Sequence, residues 1–268
     1  MKENDGKGIF PRSVVVVSDD DYRRMAGSPQ AVDLLKNQVA LVVPLSAEPE
    51  YNGELVEGVR ELLVDSDQLV PGALLIKSPF GRMSFEHADV AIEAFASAKY
   101  LAVANVARLL GAREVHFMEA KVEVESDSWA ADLTAKLPAF GGKAEARREL
   151  KKKVDARMTG RMVFPGSSPS LSEATEYLNI QNLAHDDQLQ KLVAMRTGEN
   201  PVEEYSMRMS GTREAEANFT SAISIANAGP MKALNVGAKF VRTAQLVRNV
   251  EIVIDIKFPS SGNPELTE

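Results

Sequence analysis

Apolar residues follow three kinds of spacing along this chain, and each kind marks a different element. Unbroken β-branched and aliphatic runs at Val14 to Val17, Val39 to Leu45 and Gly72 to Ser78 predict short buried strands. Strict alternation predicts strands with one buried face. It occurs at His116, Met118, Ala120, Val122 and Val124, at Tyr205, Met207 and Met209, and at Val250, Ile252, Ile254, Ile256 and Phe258. The same alternation at Val154, Ala156, Met158, Gly160, Met162 and Phe164 predicts a further strand over 153–164. Between and after the apolar positions stand Glu119, Lys121, Glu123 and Glu125 in one segment and Asp155, Arg157, Thr159 and Arg161 in the other. Opposite charges on facing strands favour pairing, so the two segments are expected to form an amphipathic hairpin.

Helical spacing and composition predict helices from Pro29 to about Asn37, Gly53 to Leu63, Phe85 to Leu110, Ala144 to Lys153, Ser170 to Ile180 and Gln188 to Arg196. A last helix, Arg213 to Val247, is expected to break at Gly229-Pro230. Punctuation agrees: Ser28-Pro29 is a helix start, Ser84 is placed to cap the long helix, and Gly111 stands where a left-handed residue ends it. Ser170 and Glu173 have capping-box spacing.

The fold class this implies is α+β, a mixed and largely antiparallel sheet with long helices packed on one face. Strand, long helix and strand occur at 72–78, 85–110 and 113–124, and again at 204–209, 213–247 and 250–258. Lys99, Leu101 and Val103 match Lys232, Leu234 and Val236. An internal duplication is one explanation, and the resemblance of any two long helices is the other. Residues 12–258 are expected to form one domain, with halves 12–164 and 165–258 as the alternative division and loose tails at 1–11 and 259–268.

Composition narrows the function. The 268 residues are 44% hydrophobic and only 6% aromatic, so the core should be aliphatic. A net charge of −7 argues against a surface that coats nucleic acid as a whole. Cysteine is absent, which removes disulfides, thiol catalysis and Cys-ligated metal. The first residues carry no apolar signal-peptide core, and no run approaches roughly 18 consecutive apolar residues, so a cytoplasmic protein with no transmembrane helix is expected. Trp129, the single tryptophan, is expected to anchor a loop by ordinary packing.

Two groups of residues suggest chemistry. Asp19 and Asp21, with Asp20 between them, follow a buried strand, a place where carboxylates hold divalent metals for phosphoryl chemistry. Such a site needs a second acidic element, for which Asp65 and Asp67 are the candidates; a turn and helix cap explain the cluster more simply. The second group is basic: Lys143, Arg147, Arg148, Lys151, Lys152, Lys153, Arg157 and Arg161, a local reversal in an acidic chain. Lys143, Arg147, Arg148, Lys151, Lys152 and Arg157 are the expected anion-binding residues. No aromatic residue interleaves them, so stacking on single strands is not indicated.

His87, His116 and His185 lack local metal-ligand spacing, and His116 is expected on the buried face of its strand. Gly-x-Ser-x-Gly, Gly-x-Gly-x-x-Gly and the phosphate-loop pattern are all missing. No cofactor is expected. The reading that follows is a non-catalytic protein that binds a protein partner or itself, as a homo-oligomer. Its most specific version is a membrane-active effector that uses the amphipathic hairpin, with the basic segment meeting anionic lipid. The alternatives are a metal-dependent enzyme on a phosphate-containing substrate, or contact with nucleic-acid phosphate through 143–161.

Overall fold

The computed structural model describes residues 10–81, 83–123, 143–158, 160–197 and 201–260, and Trp129 lies outside them. In chain order the first elements are β1 (Ser13–Val17), α1 (Asp19–Ala26), α2 (Pro29–Leu35), β2 (Ala40–Pro44), α3 (Gly53–Asp65), β3 (Leu74–Lys77) and β4 (Phe85–His87). The middle of the chain forms α4 (Ala88–Leu109), β5 (Glu114–Glu123), α5 (Lys143–Met158), β6 (Arg161–Val163), α6 (Leu171–Ile180) and α7 (Asp187–Thr197). The last elements are β7 (Glu204–Ser210), a 3-10 turn (Arg213–Ala215), α8 (Glu216–Asn227), α9 (Gly229–Ala233), α10 (Ala238–Ala244) and β8 (Asn249–Lys257).

The expected α+β class is present, built on two four-stranded sheets where one was expected. The first has the order β2-β1-β3-β4, with β1 and β2 parallel and the other pairs antiparallel. Every residue of β1 and β2 is buried, as their unbroken apolar runs require, because helices cover both faces. On one face Val14, Val16, Leu41, Val43 and Leu75 pack against Val56, Val59 and Leu63 of α3. On the other, Val15, Val17, Val42, Leu74 and Ile76 enter the main core.

The second sheet is antiparallel, in the order β6-β5-β8-β7. Its inner face, with Val115, Phe117, Ala120, Val122, Ile252, Ile254, Met207 and Met209, joins the same core. Helix α4 packs on β3 and also on β5 and β8, so it links the two sheets. By length and composition alone α4 is long and apolar enough to cross a membrane. Two thirds of that stretch (67%) is buried inside the protein, so the core accounts for its apolarity.

The strand expected over 153–164 is the main correction. Helix α5 runs through Met158, and only Arg161–Val163 is extended. Val154, Ala156 and Met158 alternate, but Leu150, Val154 and Met158 also recur every four residues, and those three are buried while Ala156 is exposed. The segment is rich in Ala, Lys, Arg and Glu, all good helix formers, and Glu149–Lys153 and Lys151–Asp155 pair one turn apart. The hairpin is reduced to β6 lying on Glu114 to His116, where Arg161 pairs with Glu114 rather than with Glu119 or Glu123, and Glu119 pairs with Lys121 of its own strand.

A β-bulge corrects the face of His116. The register of β5 on β8 slips between Phe117 and Glu119, so odd residues face inward before Met118 and even residues after it. His116 is therefore exposed, and Met118 is half exposed (50%).

Two further differences concern helix ends. The long helix starts at Ala88 rather than near Ser84, because Phe85–His87 pair with β3. The expected 213–247 helix is divided into a 3-10 turn and α8, α9 and α10. Gly111, at a φ of +87°, ends α4 as expected, and a Cβ there would sit 2.2 Å from the Ser167 carbonyl oxygen.

The duplication gains no support. Strands β7 and β8 pair with each other, whereas β3 and β5 lie in different sheets. Lys99 is deep in α4, but Lys232, Leu234 and Val236 lie at the end of α9 and in the following turn.

Candidate functional site

The predicted acidic and basic groups occupy different parts of the fold. Asp19, Asp20 and Asp21 form the first turn of α1, where carboxylates complement the helix dipole. Ser18 is the N-cap: its hydroxyl accepts from the Asp21 amide at 3.1 Å and donates to the Asp21 carboxylate at 2.6 Å. Arg24 pairs with Asp21 at 3.3 Å. The Asp19 carboxylate accepts from the Ser46 hydroxyl at 2.5 Å and from the Ser46 and Ala47 amides at 2.9 Å, tying α1 to the loop after β2. Those three bonds favour the charged form and hold its pKa at about 2, below the ordinary 3.8. Asp65 closes α3 and Asp67 lies in the turn after it. Among the described residues, no three His, Asp or Glu side chains converge as a metal would require.

The basic residues are sorted by α5. Leu150, Val154 and Met158 seat the helix on the core, against α4 and β5. Lys151 is drawn inward: its Nζ donates to the Ala120 carbonyl at 2.6 Å and pairs with Asp155 at 3.2 Å. Asp155 in turn accepts from the Ala120 amide at 3.2 Å. Strand β6 covers only the start of β5, and these two side chains satisfy backbone groups on the part it leaves open. Lys153 pairs with Glu149 at 2.8 Å.

Arg147, Arg148, Lys152 and Arg157 remain exposed and form no ion pair among the described residues. Arg148 and Lys152 stand one turn apart, side by side on the outer surface. Lys143 is the first residue of the helix. The structure thus leaves Arg147, Arg148, Lys152 and Arg157 available to an anion and gives Lys151 a structural task.

An opposite surface lies on α3, which the sequence reading did not single out. Glu54, Glu57, Glu61 and Asp65 recur at helical spacing and are all exposed, on the side turned away from the first sheet. Arg60 does not neutralise this stripe fully. It pairs with Glu57 at 2.8 Å but also reaches back to the Pro44 and Ala47 carbonyls. The i, i+3, i+7, i+11 spacing of the acids was the signal available in sequence.

Sequence reasoning also missed a buried charged cluster. Lys99, 1% exposed in the middle of α4, places Nζ 2.7 Å from Asp186 Oδ2 and 2.6 Å from Glu214 Oε1. Asp186 simultaneously caps α7, accepting from the Gln188 and Leu189 amides. Glu214 lies in the 3-10 turn after β7, and its second oxygen is buried without a partner. The cluster pins three segments together, and both oxygens that meet Lys99 are committed to it. His185, beside Asp186, is exposed.

Comparison with protein-family models, with curated proteins and with solved structures gives no match for this chain.

Proposed function

We infer that the protein is a non-catalytic binding protein that assembles with further copies of itself, the basic face of α5 on one copy docking against the acidic face of α3 on the next. The observation that carries this reading is the set of exposed cations Arg147, Arg148, Lys152 and Arg157, which have no carboxylate partner among the described residues of a chain of net charge −7. The Glu54, Glu57, Glu61 and Asp65 stripe supplies the complementary surface. The two helices lie on different parts of the fold, α3 on the first sheet and α5 on α4 and β5. One surface therefore meets a different surface on the neighbour, a head-to-tail arrangement that builds rings or filaments. Charged docking of this kind steers encounter and fixes register.

The other readings have less support. The membrane version required alternation across 153–164, and residues 153–158 are helical. The enzyme version required free carboxylates, and Asp19 and Asp21 are engaged in helix capping and loop contacts.

Light scattering at low and high salt tests assembly directly. The wild-type chain should form species larger than a monomer at low salt and lose them as salt screens the charges. Arg148→Glu with Lys152→Glu should be monomeric, as should Glu54→Lys with Glu61→Lys, and a mixture of the two should assemble. A wild-type monomer under all conditions overturns the reading. So does a chain that stays monomeric but binds DNA or anionic vesicles through α5.

A further inference from the structure

A second site lies beside α5, on a different side of the helix from Arg148 and Lys152, and its floor is a buried acid. Glu93, on α4, is only 4% exposed, yet it forms no hydrogen bond or ion pair among the described residues. It lines a cavity of about 290 Å³ between α4, α5 and α10, with Ile92, Leu150 and Phe240 as apolar wall. The other charged groups on this cavity are Asp89 from α4, Glu149 and Lys153 from α5, and Lys239 and Arg242 from α10. Two carboxylates already have partners: Glu149 holds Lys153 at 2.8 Å, and Asp89 meets Lys239 at 3.8 Å. Lys153 also lies within electrostatic reach of Glu93, so what Glu93 lacks among the described residues is a hydrogen bond, and what Arg242 lacks is a carboxylate. Glu93 lies at the buried end, and Arg242 lies at the exposed rim, where, among the described residues, its Nε donates only to the Ala238 carbonyl of its own helix.

A carboxylate in an enclosed cavity with no hydrogen-bond donor has acceptor capacity to spare, and a ligand that brings an ammonium supplies the missing donor. The same ligand must offer an anion to Arg242 and apolar surface to Ile92, Leu150 and Phe240. A metal ion does not meet this description, since no three acidic or imidazole side chains converge among the described residues. The volume is at the lower end of small-molecule pockets, which run from roughly 300 Å³ upward. A second cavity of about 520 Å³ shares Ala88, Asp89, Lys239 and Arg242 and extends to His87 and Leu74, providing an approach from solvent. We propose that this cavity binds a free α-amino acid with an aliphatic side chain, its ammonium on Glu93 and its carboxylate on Arg242. The proposal is independent of self-assembly, because Glu149 and Lys153 face the cavity while Arg148 and Lys152 belong to the outer surface.

Calorimetric titration of the full chain with L-leucine tests it, together with two analogues that each lack one charge, 3-methylbutylamine and 4-methylpentanoate. L-leucine should bind with a Kd of about 1 mM or tighter, and each analogue about tenfold or more weakly. Glu93→Gln and Arg242→Met should each weaken L-leucine by about tenfold or more. Arg242 is exposed, so its substitution leaves folding intact, and Lys191→Glu, on the exposed side of α7, should leave binding unchanged. No heat with L-leucine, equal affinity for 3-methylbutylamine, or unchanged affinity in Glu93→Gln overturns the proposal.

Discussion

At the scale of single residues, the most consequential side chains are charges the fold has enclosed. Lys99 is visible in the sequence only as an interruption of an apolar helix, and its partners are 87 and 115 residues away, so nothing local announces them. Removing the ammonium leaves Asp186 and Glu214 facing each other with little access to water. Lys99→Met should therefore destabilise the protein by about 3–5 kcal/mol, as breaking one side of a buried ion pair does. Urea denaturation measures this, and adding Asp186→Asn with Glu214→Gln should restore part of the loss. Asp19 is the opposite case: the sequence marked it, and the structure explains it through Ser46 and Ala47. Its folded pKa of about 2 lies below the ordinary 3.8, so its carboxylate contributes stability above the ordinary value. That contribution fades as pH falls through about 2. Asp19→Asn should lower the urea midpoint at neutral pH, and the gap from wild type should close in strong acid. An Asp19 carboxyl that titrates near its ordinary value by NMR would contradict the hydrogen-bond account.

At the scale of elements, the reading succeeded where one periodicity stood alone. The Val14 to Val17 run and the Val250 to Phe258 alternation became β1 and β8 because no helical spacing competes in either. It failed at 153–164 because two periods coexist there, and the helix-forming residues and one-turn ion pairs decide between them. Ala156 separates the two: a strand with Val154 and Met158 on its buried face would bury it, and α5 exposes it. Ala156→Asp should change stability by no more than about 0.5 kcal/mol. Met158→Ala, at a fully buried position, should cost about 2–5 kcal/mol. Thermal and urea unfolding of both variants checks the helix. The face of His116 could not have been read in sequence either, because a bulge depends on how β5 meets a strand more than a hundred residues away. The exposed basic face of α5 was legible as composition. Which lysine it would spend on the edge of β5 was not, because that depends on the short reach of β6.

At the scale of the whole molecule, the alternative division of the expected single domain into halves 12–164 and 165–258 would cut across strand pairing. A boundary near residue 164 would separate β5 from β8, yet β8 lies between β5 and β7 and pairs with β5 from Glu114 to Glu123. It would also part α8 from β1 and β3, on which that helix packs. Neither half retains its own sheet and its own cover. In 165–258, β8 loses β5 and the α4 cover over Val250, Ile252, Ile254 and Ile256, and in 12–164, β5 loses β8; unpaired apolar strands associate or aggregate. Fragments 12–164 and 165–258 expressed separately should each lack a cooperative unfolding transition, and co-expression should recover one. The pairing of distant strands also makes folding depend on non-local contacts, which form slowly, so refolding of the intact chain should be slower than that of a helical bundle of similar stability. Circular dichroism of each fragment gives the decisive measurement. A sharp transition from 165–258 alone would mean that β7 and β8 with α8 to α10 are a self-sufficient unit, and that the two halves are associated rather than interwoven.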